Sequence, residues 1–204
     1  MQTATDVNYR KKPEARGADD AELRQRLAAA EAERRRAQAA MVDLEERLSD
    51  AINVCVALER LHGSTDHGEV LRAIQDVVIN LVGSEELAVY EPGASGELEV
   101  VQSFGLAGSR LAPVTPGHGP IGRVAAEGRA WVAGDATPCG DPDLTACVPL
   151  VADDRVVAVL AIWRLLPHKP ALREGDRRVL ELLGPHAGRA LYLTAGNTRR
   201  ARAA

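Results

Sequence analysis

The spacing of apolar positions changes along this chain, and each change marks an element. From about Ala18 to His62 a mostly apolar seam recurs in alternating steps of four and three: Leu23, Leu27, Ala30, Arg34, Ala37, Met41, Leu44, Leu48, Ala51, Cys55 and Leu58. Neither Gly nor Pro interrupts the stretch between Gly17 and Gly63, so it reads as one long helix. The heptad seam reads as a coiled coil, with Cys55 at an a position and Leu58 at a d position. Arg34 and the alanines weaken its centre. A modest helical dimer is therefore expected, held by Leu23, Leu27, Met41, Leu44, Leu48, Ala51, Cys55 and Leu58. A single solvated helix is the alternative.

After Gly63 the pattern becomes that of a globular domain. Asp66 followed by Glu69 fits a helix start, and Val70, Leu71, Ile74, Val77, Val78 and Leu81 make a one-sided face that stops at Gly83. Leu87–Glu91 and Glu97–Phe104 read as a hairpin, with Leu98, Val100 and Phe104 on one face. Val148–Val151 and Val156–Trp163 read as a second antiparallel pair joined at Ala152–Arg155. The latter is apolar throughout, which places it at the centre of a sheet. A last helix runs from about Glu174 to Thr194, with a kink or break expected at Gly184-Pro185. The fold class is α+β, an antiparallel sheet with helices packed on one face. Residues 1–17 read as a disordered tail and 196–204 as a basic flexible tail.

Composition narrows the function classes. Twenty-five basic and 29 acidic residues give a net charge of −4, so no polyanion partner is implied. One Phe and two Trp leave few platforms for stacking nucleic-acid bases. Cys55, Cys139 and Cys147 form no Cys-x-x-Cys pair, which points to a reducing compartment. The polar N-terminus is no signal peptide, and no apolar run reaches membrane-spanning length. A cytoplasmic location with no membrane insertion is expected.

The stretch Pro116-Gly-His-Gly-Pro-Ile-Gly122 leads into a short apolar helix and then into Trp131-Val-Ala-Gly-Asp135. After a loop come Cys147-Val-Pro-Leu-Val151 and the apolar strand to Trp163. This order, from about Ala51 to Ala195, resembles a GAF domain, a family of small sensor modules. The domain organisation is then a coiled-coil helix over 18–62 and a GAF-like domain over 51–195. The resemblance implies a small molecule over one face of the sheet, walled by His118, Gly119, Ile121, Gly122, Trp131, Asp135, the loop Thr137–Leu144 and Cys147. Gly117 and Gly119 permit unusual backbone angles, and the helix start near Pro120 offers free amides. The same glycines equally serve a plain turn. The loop before Cys147 is short, so the cavity is expected to be shallow, open or filled by side chains such as Trp131.

The resemblance also implies a loop-bracing salt bridge between Lys169 and Asp176. The companion residues of the family's cyclic-nucleotide signature are replaced by His168, Leu172 and Arg177, which argues against that ligand. Free methionine sulfoxide reductases are stand-alone members with a cysteine in the glycine loop. Here Pro120 and Ile121 fill that place, and only Cys139 lies near a family cysteine position. Neither Cys139-Gly140 nor Cys147-Val148 fits bilin attachment. The five histidines are dispersed, and Asp141 and Asp143 read as loop acids rather than cation ligands. No cofactor, metal or catalytic residue is implied. No kinase, cyclase or DNA-binding unit follows in this sequence. The expectation is a non-enzymatic dimeric regulator acting on another signalling protein. A ligand-free interaction module is the alternative, and a redox enzyme the weakest.

Overall fold

The computed structural model describes residues 12–134 and 141–203. The expected tail over 1–17 lies outside them up to residue 11, and helix α1 (Lys12–Gly63) is already formed from Lys12. The chain divides into two compact units, Met1–Ser49 and Asp50–Ala204.

The first unit is helical, with Glu22–Arg26, Glu31–Arg35 and Asp43–Arg47 paired one turn apart. Such exposed pairs support a helix weakly, by about 0.3–0.5 kcal/mol each. Its seam residues Leu23, Leu27, Met41, Leu44 and Leu48 are all 60% or more exposed in the single chain.

In the second unit, the end of α1 uses a different stripe. Leu61 is fully buried, and Val54, Ala57 and Leu58 turn toward Val77, Val179 and Leu183. Leu58, expected in the dimer seam, is instead packed on its own domain, because a nearby apolar core covers it without a second chain. Ala51, Cys55, Ile52 and Val56 remain exposed.

Helix α2 (His67–Val77) starts at Asp66, whose carboxylate accepts the Glu69 N–H at 2.9 Å. The helix widens into a π-turn over Val78–Val82 before ending at Gly83. Across the widened turn Val82 is fully buried and Leu81 is half-buried against the same core. Strands β1 (Leu87–Pro92), β2 (Leu98–Phe104), β3 (Trp131–Val132), β4 (Ala146–Ala152) and β5 (Arg155–Ile162) form an antiparallel sheet in the order β2-β1-β5-β4-β3. β5 is central, as its unbroken apolar run requires. Asp153 and Asp154 close the β4–β5 hairpin with φ of 47° and 58°, a left-handed pair that Asp tolerates.

One register shift changes the reading of β2. Tyr90 pairs with Val100 but Val89 pairs with Gln102, so Val101 is an extra, bulged residue. Leu98 and Val100 share a face with Tyr90, whereas Gln102 and Phe104 turn to the other side. Gln102 donates to Gln75 of α2 at 2.7 Å there, and Phe104 is 41% exposed. The expected common face of Leu98, Val100 and Phe104 is therefore corrected.

Of the kink or break expected at Gly184-Pro185, the break does not occur: the last helix, α4 (Glu174–Ala203), continues through Pro185 and beyond Thr194. Proline sacrifices one hydrogen bond and crowds the preceding turn, but the helix is held from outside by the sheet. A Cβ on Gly184 would lie 2.9 Å from the Pro149 carbonyl oxygen, and one on Gly188 would overlap the Val151 backbone. These two glycines, one turn apart, let α4 sit directly on β4. Leu87, Val89, Leu150, Leu160 and Ile162 face this helical layer with Ile74, Leu183 and Leu191. The other face of the sheet carries the short helix α3 (Gly119–Glu127).

Candidate functional site

The α3 face is built from alternate positions of the same strands. Ala88 and Tyr90 of β1, Cys147 of β4, and Val159 and Ala161 of β5 meet Ile121 and Val124 of α3, together with Trp131, Leu144 and Trp163. Three residues expected to wall a ligand therefore come together here: Ile121 at 8% exposure, Trp131 at 9% and Cys147 at 0%. Gly122 is buried beside the Thr115 carbonyl, where no side chain fits. His118 and Gly119 stand exposed at the start of α3; the His118 ring lies 3.4 Å from the Pro116 carbonyl oxygen, and its backbone N–H donates to the Thr115 carbonyl at 3.1 Å. Gly117 and Gly119 take φ of 83° and 64°, a turn that L side chains resist. Asp135, Thr137 and Cys139 lie outside the described residues. β3 itself is shorter than expected, giving way to a turn at Ala133-Gly134.

Trp131 leaves one polar atom unsatisfied. Its Nε1–H is buried and has no hydrogen-bond partner among the described residues. An orphaned buried donor costs about 1–3 kcal/mol, which an acceptor brought by a ligand would recover. The other tryptophan is satisfied: Trp163 Nε1 donates to Asp141 Oδ2 at 2.8 Å.

Asp141 belongs to a charged cluster at the rim of this face. Arg110, in the 3-10 turn Gly108–Leu111, grips Asp141 with two hydrogen bonds of 2.9 and 3.1 Å. It also reaches Asp143 at 2.7 Å and Glu86 at 3.2 Å. Arg164 adds a second cation, 3.2 Å from Asp143 and 3.6 Å from Glu86. Tyr90 Oη donates to the Arg110 carbonyl from below. Burial, and secondarily the neighbouring Cys147, push the Tyr90 phenol up to about 12, so it stays a donor. The two acids expected as plain loop acids therefore fasten the 3-10 turn over the face. Arg110 escaped the sequence reading because 31 residues separate it from Asp141.

Burial opposes ionisation of Asp141, but hydrogen bonds from Trp163, the Asp143 amide and Arg110 more than offset it and hold the carboxyl below its ordinary range. Asp143 is lowered chiefly by Arg110, then by Arg164. Folded-state values below the ordinary 3.8 mean that these acids stabilise the fold above that pH, a contribution lost as the pH falls through the folded values. Arg110→Met is expected to start acid unfolding at higher pH than the parent chain. Near-ultraviolet circular dichroism, which reports the buried tryptophans, checks this; superimposable acid profiles would refute it.

Among the described residues, two open clefts lie elsewhere. One of about 830 Å³ runs between Ala133–Gly134 and the 164–172 segment, near Asp143, Lys169 and Arg177. One of about 460 Å³ lies between Val132, Val148, Val151 and Leu180. The first is lined in part by Pro142, Asp143 and Leu144 of the loop expected to wall a ligand, and the second by none of the expected wall residues. Lys169 Nζ lies 2.6 Å from both Asp176 Oδ1 and the Val82 carbonyl, bracing the segment before α4. No group of three or more His, Cys, Asp or Glu among the described residues could hold a metal, and no described helix is long and apolar enough to cross a membrane.

The fold has clear relatives among solved structures. The GAF domain of an Acinetobacter phosphoenolpyruvate-protein phosphotransferase superposes with a TM-score of 0.57 at 14% identity, over 74% of this chain and 95% of its own. The free methionine-R-sulfoxide reductase of Neisseria meningitidis, solved with its substrate, gives 0.56 at 20% identity, over 71% and 89%. The A. aeolicus nlh2 GAF domain in an inactive state gives 0.55 at 16% identity, over 72% and 98%. At these identities the likeness shows the fold alone. No curated protein sequence matches. The family model of the GAF domain matches residues 64–191, more than half of the chain. The chain therefore belongs to the GAF domain family, whose members typically serve as sensor or regulatory modules in signalling proteins.

Proposed function

We propose that this protein is a non-enzymatic, dimeric GAF regulator that senses a small molecule on its α3 face and acts through another protein. The observation that carries the reading is the Trp131 Nε1–H, a buried donor without a partner among the described residues, on the face where Tyr90, Cys147 and Trp163 converge. The ligand would bring an acceptor to that donor beneath the turn clamped by Arg110. Dimerisation is supported by the exposed apolar stripe of α1. The non-enzymatic reading is supported by the two described thiols: Cys147 is fully buried, and Cys55 stands in α1. A buried thiol in apolar surroundings is a poor nucleophile.

A second reading, a ligand-free interaction module, is favoured by the side chains of Ile121, Val124, Leu144 and Trp163, which already pack against Trp131. Native mass spectrometry of the purified protein, before and after denaturation, separates the two. A dimer carrying extra mass that is released on denaturation supports the sensor. A dimer of bare chain mass favours the interaction module, and a monomer overturns both dimeric readings. Cys55 supplies a further check, because it is exposed and occupies an a position of the seam. In a parallel, in-register pair, mild oxidation is expected to yield a covalent dimer that Cys55→Ser abolishes. A Cys55→Ser chain that still cross-links would remove the thiol from that contact.

A further inference from the structure

Helix α4 passes a polar cluster remote from the α3 face. His67 opens α2, and its side chain is 22% exposed. Its Nε2 lies 3.0 Å from Glu91 Oε1 on β1, and its Nδ1 lies 3.2 Å from Thr194 Oγ1 on α4. Thr194 is 2% exposed and is the last buried residue of α4 among those described. Its hydroxyl also lies 2.9 Å from the Ala190 carbonyl oxygen and 3.1 Å from that of Leu191.

Protons can be counted across these contacts. A threonine hydroxyl has one hydrogen, and here it points back to a helix carbonyl, leaving a lone pair for Nδ1. The Glu91 carboxylate only accepts. Both ring nitrogens then face acceptors, and only the doubly protonated imidazole supplies an N–H to each. A neutral ring keeps the Glu91 bond without its charge, and it faces Thr194 with a second lone pair unless the hydroxyl abandons the helix carbonyl.

We infer that His67 is a proton-operated latch, whose doubly protonated ring fastens the last docked turn of α4 to β1 and α2 and whose deprotonation loosens that turn. Among the described residues, the charged groups that act on the ring are acidic. Glu91 faces the ring from β1, Glu99 lies across the strand from Glu91, and Asp66 caps the helix that carries His67. α4 contributes the neutral Thr194 hydroxyl. The hydrogen bond to Glu91 raises the imidazole above its ordinary 6.5, burial opposes the rise, and the charges of Glu91 and Asp66 add to it. A folded value above the unfolded one gives stabilisation that is complete below about 6.5 and is lost as the pH climbs through the folded value.

The test is amide hydrogen exchange on the full chain, corrected for the intrinsic pH dependence, with the imidazole nitrogens followed by NMR. At about pH 6 both His67 nitrogens are expected to carry protons. Protection of the Ala190–Thr194 turn is expected to fall about fivefold by about pH 8.5. Glu91→Gln is expected to move the midpoint to lower pH, and His67→Gln to flatten the profile. A neutral His67 ring at about pH 6 overturns the latch. So does a pH profile that survives His67→Gln, which would assign it to another group, such as the contact between His62 of α1 and His186 of α4. If His67→Gln fails to fold, an unmoved midpoint in Glu91→Gln overturns it instead.

Discussion

Gly188→Ala is expected to destabilise the domain by about 3 kcal/mol, because the new methyl group meets main chain and not a side chain that can turn away. A Cβ at this position overlaps the nitrogen and carbonyl oxygen of Val151. β4 cannot retreat by itself, because it is hydrogen-bonded within the sheet to β5 from Ala146 to Ala152. α4 cannot retreat either without uncovering Leu180, Leu183, Ala187 and Leu191, all buried against the sheet. For a chain of this size the loss corresponds to a fall of about 10 °C in Tm by thermal denaturation. Gly175→Ala in the first turn of the same helix is the control, since nothing lies within 4 Å of its added Cβ. That change is expected to leave Tm unchanged or slightly raised, as alanine favours helix over glycine. Equal melting of Gly188→Ala and the parent would mean that α4 does not sit on β4 as described.

Asp176→Ala is expected to cost about 3 kcal/mol for a different reason. Lys169 and Asp176 have side chains only 10% exposed, and among the described residues the ammonium has one other partner, the Val82 carbonyl. Asp176 also accepts the Arg173 amide, at 2.6 Å, which anchors the first turn of α4. Removing the carboxylate strands a buried cation and frees that amide together. Lys169→Met alone is expected to cost less, because the remaining carboxylate keeps the Arg173 amide. The double variant Lys169→Met, Asp176→Leu is expected to recover part of the loss, since no buried charge is left unpaired. Chemical denaturation of the set checks the order. An Asp176→Ala chain as stable as the parent would make the pair an incidental contact.

The elements that the sequence disclosed are those whose signal is local. Asp66 and Glu69 frame a helix start within four residues. The run Val156–Trp163 is apolar at every position and is read directly as the covered centre of a sheet. The glycine loop and the short helix before Trp131 gave the family. Features that depend on contacts between distant residues were not legible. The bulge at Val101 inverts the faces of Gln102 and Phe104, and no residue type announces it. Pro185 argues for a break until β4 is seen to hold the helix from outside. Leu58 fits a heptad seam and a domain stripe equally, and only the neighbouring core decides between them. Of the candidate ligand walls, Ile121, Trp131 and Cys147 converge, because strand alternation and a short amphipathic helix place them. His118 and Gly119 remain at the surface. The Arg110 clamp joins a turn after β2 to a loop before β4, a pairing that no periodicity encodes.

The bulge in β2 bears on how this domain tolerates changes of length. Upstream of Val101 the strand serves the layer that carries α3, and downstream it serves the layer of α2 and α4. Deleting Val101 would leave Val100 opposite Tyr90 and Gln102 opposite Val89, so the pairing would become regular with both residues still in their present layers. In comparisons among related chains, a gap opposite Val101 should therefore be read as the loss of the extra residue alone, with both inner surfaces of the sheet kept.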